Sequence, residues 1–187
     1  MKNLFQKAFI SVLILTFAIS LGATAQTEPG TFTAKKGIYL EVGGSSGIYA
    51  VNYSKIFHQK GKLKLSASAG FSMWRHEKLD SRTTWLPTVP LEMTAFYGKS
   101  NHHLEMGIGF TPYLGTSLDL VSETIGYRDI VVIDAFIPLR VGYRYQKPEG
   151  GFFFRLGYTP IIDFPPRTGG NWSFNPYWAG LSFGKSF

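Results

Sequence analysis

The chain contains no cysteine, and charged residues fill only 17% of its 187 positions. Without a thiol there is no disulfide framework, no thiolate metal site, no cysteine nucleophile and no lipid-modified cysteine. Sparse charge beside 16% aromatic residues excludes a disordered chain, which needs few aromatics and high net charge. Glycine and proline, 21 and 10 residues, fall short of a collagenous or low-complexity composition. Helical periodicity is not sustained anywhere after residue 36. Gly107-Ile108-Gly109 and Gly142-Tyr143 lie inside strand patterns with no following helix, which excludes a phosphate-cradling loop. The length suits one domain.

The one long apolar run is at the start. Lys2 and Lys7 precede the 14-residue stretch Ala8 to Leu21, and Ala23-Thr24-Ala25 follows as a small-x-small cleavage pattern. This order is that of a secretory signal peptide over 1–25. Fourteen helical residues would span about 21 Å, short of a roughly 30 Å hydrocarbon core. Residues 26–36 read as a short polar tail. Lys2 and Lys7 would leave with the leader, so the net charge of +7 falls to +5.

From residue 37 to 187 the pattern alternates at period two, broken by turn residues. Eight strands are expected: Gly37–Gly43, Ile48–Phe57, Lys62–Trp74, Thr88–Tyr97, His102–Leu114, Val131–Tyr145, Phe152–Pro160 and Pro176–Phe187. In the third, Leu63, Leu65, Ala67, Ala69, Phe71 and Met73 alternate with Lys62, Lys64, Ser66, Ser68, Gly70 and Ser72. Short turns alternate with longer connections at Arg75–Pro87, Gly115–Ile130 and Ile161–Asn175, the habit of transmembrane barrels. Gly44-Ser45-Ser46 is the exception, short where a long loop is due.

Alternation alone fits two opposite proteins. A soluble lipocalin-like barrel points its apolar set inward, whereas a membrane barrel turns that set to lipid and keeps a polar lumen. Charge decides for the second. The apolar set carries only Lys55, Arg75 and Lys185, each near a strand end, while the opposite set carries Glu41, Lys62, Lys64, Glu92, Glu105, Asp134, Arg140, Arg144 and Arg155. The opposite set is otherwise rich in Gly, Ser and Ala, as a narrow eight-stranded lumen requires. Aromatics of the apolar set gather at strand ends. Phe57, Tyr97, Tyr143, Tyr145, Phe152 and Phe187 lie at the short-turn end, and Tyr49, Tyr158 and Tyr177 at the other. They make two expected girdles at headgroup level.

The fold class expected is therefore all-β, an eight-stranded antiparallel up-and-down transmembrane β-barrel. Residues 37–187 resemble the small outer-membrane β-barrels of Gram-negative bacteria, most of all the short Gly- and Tyr-rich barrels of Bacteroidetes-type organisms. The most specific element is Tyr177-Trp178-Ala179-Gly180-Leu181-Ser182-Phe183-Gly184-Lys185-Ser186-Phe187. The resemblance implies an insertion signal at Phe183 and Phe187, read by the barrel-insertion machinery, although Lys185 stands where the family usually has an apolar residue. It also implies a porin-like monomer in outer-membrane lipid, without cofactor, metal or nucleic-acid partner, with a structural or surface-interaction role.

Glu41, Glu92, Glu105, Asp134, Arg140, Arg144 and Arg155 are the candidate site: a lumen ion network that either plugs the barrel or gates a pore. Buried charges must be paired, and the plug is the expected form. His76-Glu77 with Asp80 and Ser81 is the alternative, since some outer-membrane barrels modify lipid A with a histidine and a serine; no His-x-Ser pattern lies on a strand. His58, His102 and His103 lie in or beside short turns and read as solvated turn residues. His102 and His103 take opposite faces of one strand and cannot share a metal. Trp85, Trp172 and Phe164-Pro165-Pro166 fall in the long connections, where they would either meet a surface ligand or fold over the barrel mouth.

Overall fold

Period-two alternation gives each segment one face of β-branched and aromatic side chains and one of small or polar ones, a pattern that fits a half-buried strand. The computed structural model describes residues 30–77, 82–122, 126–165 and 170–187. Its strands are β1 Lys36–Gly43, β2 Tyr49–Lys60, β3 Leu63–Glu77, β4 Thr83–Thr88, β5 Leu91–Tyr97, β6 His102–Ser122, β7 Gly126–Gln146, β8 Gly151–Tyr158, β9 Ile161–Asp163, β10 Ser173–Asn175 and β11 Ala179–Ser186. The described pairings are antiparallel. The ring β1-β2-β3-β5-β6-β7-β8-β11 closes on itself through Glu41 opposite Ser182. The protein is a closed eight-stranded up-and-down β-barrel.

The remaining three strands prolong ring strands beyond one end. β4 precedes β5 and pairs with upper β3, β9 continues β8 beside β7, and β10 leads into β11 and pairs with β9. Each interruption contains a proline, Pro90, Pro160 or Pro176, which has no N–H to give the ladder. The carbonyls stay useful there: Gly70 donates to Pro90 O at 2.8 Å and Leu139 to Pro160 O at 2.9 Å.

Two expectations are corrected here. The first two long connections are largely strand, and the third begins and ends in short strands. β6 and β7 pair as far as Ser122 opposite Gly126, so Gly115–Ile130 is mostly a hairpin rising past the barrel. Leu114, Thr116, Leu118 and Leu120 already alternate in that stretch, masked by the intervening Gly, Ser and Asp. The segment before β1 is likewise no free tail. Phe32 is fully buried, clustered with Ile56 and Phe96 under the short-turn end of the barrel. Its backbone is tied by Phe32 N–H to Gln59 Oε1 at 3.0 Å and Ala34 N–H to Pro148 O at 3.1 Å.

The apolar set faces outward. Ile38, Val51, Phe71, Met93, Met106, Ile108, Val141 and Leu156 are all exposed, while Glu41, Lys64, Glu92, Glu105, Arg140, Arg144 and Arg155 are buried. This is the reverse of a soluble ligand-binding barrel.

Candidate functional site

The lumen charges come together because each sits on the inward parity of its strand beside a small neighbour. In register, Arg140 faces Gly107, Glu105 faces Gly142, Glu92 faces Ser68 and Gly109, and Glu41 faces Ala50 and Ser182. Small residues next to long ones leave room for a side chain to lie across the narrow interior.

Three carboxylates and three guanidiniums form one layer. Arg155 grips Glu105 twice, Nε to Oε2 at 3.0 Å and Nη2 to Oε1 at 2.9 Å. It also reaches Glu92 Oε2 at 2.7 Å and donates from Nη1 to the Tyr39 hydroxyl at 3.0 Å. Arg140 bridges Glu92, at 2.5 Å, and Glu41. Arg144 reaches Glu105 at 3.4 Å and Gln146 Oε1 at 2.8 Å. Its guanidinium also lies over Phe96, 4.4 Å from the ring centre, and faces Phe153. Charge is balanced within the layer, as burial demands.

The sequence places Asp134 in this network, and the structure does not. Asp134 is opposite Tyr113 on the strand extensions, above the layer, with no ion pair to the three arginines. Inward parity gives the face but not the depth. Tyr39, which shares the parity of Glu41, belongs to the layer and is missed by attention to charge alone.

Above the layer lies the short connection that breaks the loop pattern. Gly44–Ser46 forms one 3-10 turn folded into the lumen, with positive φ at Gly43, Gly44 and Gly47. Positive φ at three places in so short a turn is a conformation that glycine supplies without strain. Ser45 Oγ donates to Glu92 Oε1 at 2.8 Å, Ser46 Oγ to Glu41 Oε2 at 2.7 Å, and Ser45 O accepts from Thr111 at 2.7 Å. Room for the turn comes from Gly180: a Cβ there would stand 2.5 Å from Gly44 Cα. Ser45→Ala is expected to lower stability by about 1.5–3 kcal/mol, the range for a hydrogen bond to a charged group. A urea midpoint unchanged from wild type in detergent would refute the role of this turn.

Below the layer the interior is aromatic. Phe32 meets Phe96 edge-on at 5.8 Å and His103 at 5.5 Å, and Lys64 Nζ lies over Phe32 while donating to Gly98 O at 2.6 Å. The lumen is thus filled in three storeys: Phe32 and its neighbours, the ion layer, and the Gly44–Ser46 turn.

The expected girdle residues face outward. Tyr49, Phe57, Tyr97, Tyr143, Phe152, Tyr158, Tyr177 and Phe187 are exposed, and Tyr145 is half-buried. At the short-turn end, Tyr143, Tyr145 and Phe152 join through Phe154, whose ring stacks on Tyr145 at 5.8 Å. His102 adds to this cluster against Tyr143, while His103 is not the solvated turn residue expected: it lies at the start of β6, points inward as opposite parity requires, and is buried. Phe183 and Phe187 are exposed on the outer face at β11.

The histidine–serine alternative is not assembled among the described residues. Glu77 pairs with Arg75 at 3.0 Å on the surface rather than with His76, and Asp80 and Ser81 lie outside the described residues. Trp85 is on β4, not in a loop, and Trp172 packs 4.6 Å from Phe164, which abuts the outward-facing Phe110 instead of covering the mouth.

Fold and lumen together define a closed, self-filled eight-stranded β-barrel. No family model matches the chain, and no curated protein matches it. Among solved structures, the chain is similar to the crystal structure of the N-terminal β-barrel domain of Pseudomonas aeruginosa OprF, with a TM-score of 0.48 and 13% identity, over 86% of this chain and 100% of that one.

Proposed function

We propose that the protein is an integral outer-membrane β-barrel protein with a sealed lumen and a structural or surface-interaction role. It would be exported by the leader at 1–25, inserted as a monomer, and set with its short turns toward the periplasm. The observation that carries this reading is the belt of exposed apolar side chains around the whole ring, from Ile38 and Val51 through Met93 and Ile108 to Val141 and Leu181. Water-facing surfaces do not sustain a continuous apolar patch of that extent, whereas lipid requires one. The ion layer supports a plug over a pore: its side chains lie across the lumen and pair with one another, and Arg140 and Arg155 are each only 2% exposed.

The chain is expected to sediment with membranes and to migrate on gels at two positions, folded without heating and unfolded after boiling. Recovery as a freely soluble periplasmic protein would sink the proposal. In planar bilayers the folded barrel is expected to give no steady conductance, which distinguishes a plug from a pore.

A further inference from the structure

The extensions of β3, β6, β7, β9 and β10 build a vestibule on top of the Gly44–Ser46 turn. Its cavity measures about 250 Å³ and its lining includes Trp74, Tyr113, Phe136, Trp178, Asp163 and Asn175. The rings surround the space rather than forming one flat platform. Trp74 lies nearly parallel to Phe136 at 6.3 Å, but is inclined 37° to Tyr113, which is itself inclined 51° to Phe136. Trp178 closes another side and is held there by its indole N–H on Gly44 O at 3.3 Å.

Among the described residues lining the vestibule one is charged, and it is acidic. Asp163 is on the wall, opposite Phe136 in register, and accepts from Ser173 Oγ at 2.9 Å, while Asp134, opposite Tyr113, stands outside the lining. Among the described residues that line the cavity there is no Lys, Arg or His. The contrast with the ion layer below is informative, because there each carboxylate meets a guanidinium. One donor is also idle: the buried Trp74 Nε1 has no partner among the described residues.

We propose that this vestibule binds a small organic ammonium that carries an oxygen acceptor, an amino alcohol such as choline. Ring faces attract a cation through their quadrupole, most strongly for tryptophan and when water is displaced. Asp163 supplies the counter-charge at the wall, Asp134 behind Tyr113 adds to the negative field, and the oxygen answers the Trp74 indole N–H. The volume suits such a solute better than a folded chain or a lipid. A saccharide would share the aromatic contacts and donate hydroxyls to Asp163, but would leave its charge unneutralised. The site rests on the proposed function only in having its mouth turned to the outside; the binding itself is read on isolated protein.

The test is calorimetric titration of the full-length barrel, folded in a non-ionic detergent free of ammonium groups. Choline is compared with its uncharged isostere 3,3-dimethylbutan-1-ol, with phosphocholine and with glucose. Choline is expected to bind at least about tenfold more tightly than the isostere. Asp163→Asn combined with Asp134→Asn is expected to weaken choline by about tenfold or more while leaving the isostere unchanged. Weaker binding of phosphocholine than of choline would support a free amino alcohol, because its phosphate meets the two aspartates. Equal binding of choline and isostere, preference for glucose or phosphocholine, or no heat at millimolar choline from protein that keeps its heat-sensitive gel shift would overturn the assignment. That gel shift tests the barrel separately, so failure of the ligand site and failure of the membrane reading are told apart.

Discussion

Glu105→Ala is expected to destabilise the barrel by about 3–5 kcal/mol, the cost of leaving a buried charge unpaired. Glu105 is the partner of two arginines. Arg155 would keep Glu92 and Tyr39, but Arg144 would lose its one carboxylate among the described residues and retain Gln146 and two aromatic rings. The layer would change from neutral to a surplus of one positive charge in a space closed above and below. Urea unfolding in detergent micelles, followed by tryptophan fluorescence, gives the measurement. The companion variant Glu105→Leu with Arg144→Met removes one charge of each sign and is expected to recover much of the loss, since a balanced apolar replacement of a buried pair is often neutral. If Glu105→Ala unfolds at the wild-type midpoint, the pairing described for this layer is wrong.

Ile108→Arg is expected to cost about 2–4 kcal/mol in bilayers, because its side chain would have to be solvated by hydrocarbon. Ile108 lies on the outer face of β6 between Met93 and Leu139, and it is 55% exposed. Water and lipid make opposite forecasts for that position. On a water-facing wall a long charged side chain would change stability by no more than about 0.5 kcal/mol. Unfolding in liposomes separates the two, and near-neutrality would argue against a membrane-spanning wall. Arg75 and Lys185 fit the same rule, since charge near the interface costs only about 0–1 kcal/mol and each stands toward an end of its strand; Lys55, expected near a strand end, lies in the middle of β2.

The faces of the strands were legible because parity is a local property. Every second residue from Leu63 to Met73 is apolar, and the wall it builds is the one observed. The outward rings at Tyr97, Tyr143 and Phe152 follow from the same parity. Depth was not legible, because it depends on register between strands and on interruptions such as Val89-Pro90. Asp134 and Arg140 share a face, yet only Arg140 reaches the ion layer. Extent was misread where small and polar residues interrupt the pattern: Gly115, Ser117 and Asp119 stand between the apolar positions of β6, so the β6–β7 hairpin looked like a loop although its strand pairing persists. The segment around Phe32 and the turn at Ser45 are contacts between parts distant in sequence. Their one local sign was an anomaly, a lone buried-type aromatic in a polar stretch and a connection too short for its side.

Closure of the ring has a kinetic consequence. β1 finds its last neighbour in β11, and the bonded residues Glu41 and Ser182 are 141 positions apart. Contacts so remote form late, after the loop entropy of nearly the whole barrel has been spent. Until then β1 and β11 each present an unpaired edge, a template for joining the wrong chain. The carboxylates and guanidiniums come from β1, β5, β6, β7 and β8. They shed their hydration only as that final seam zips, so drying of the interior and completion of the wall are one event on the folding path.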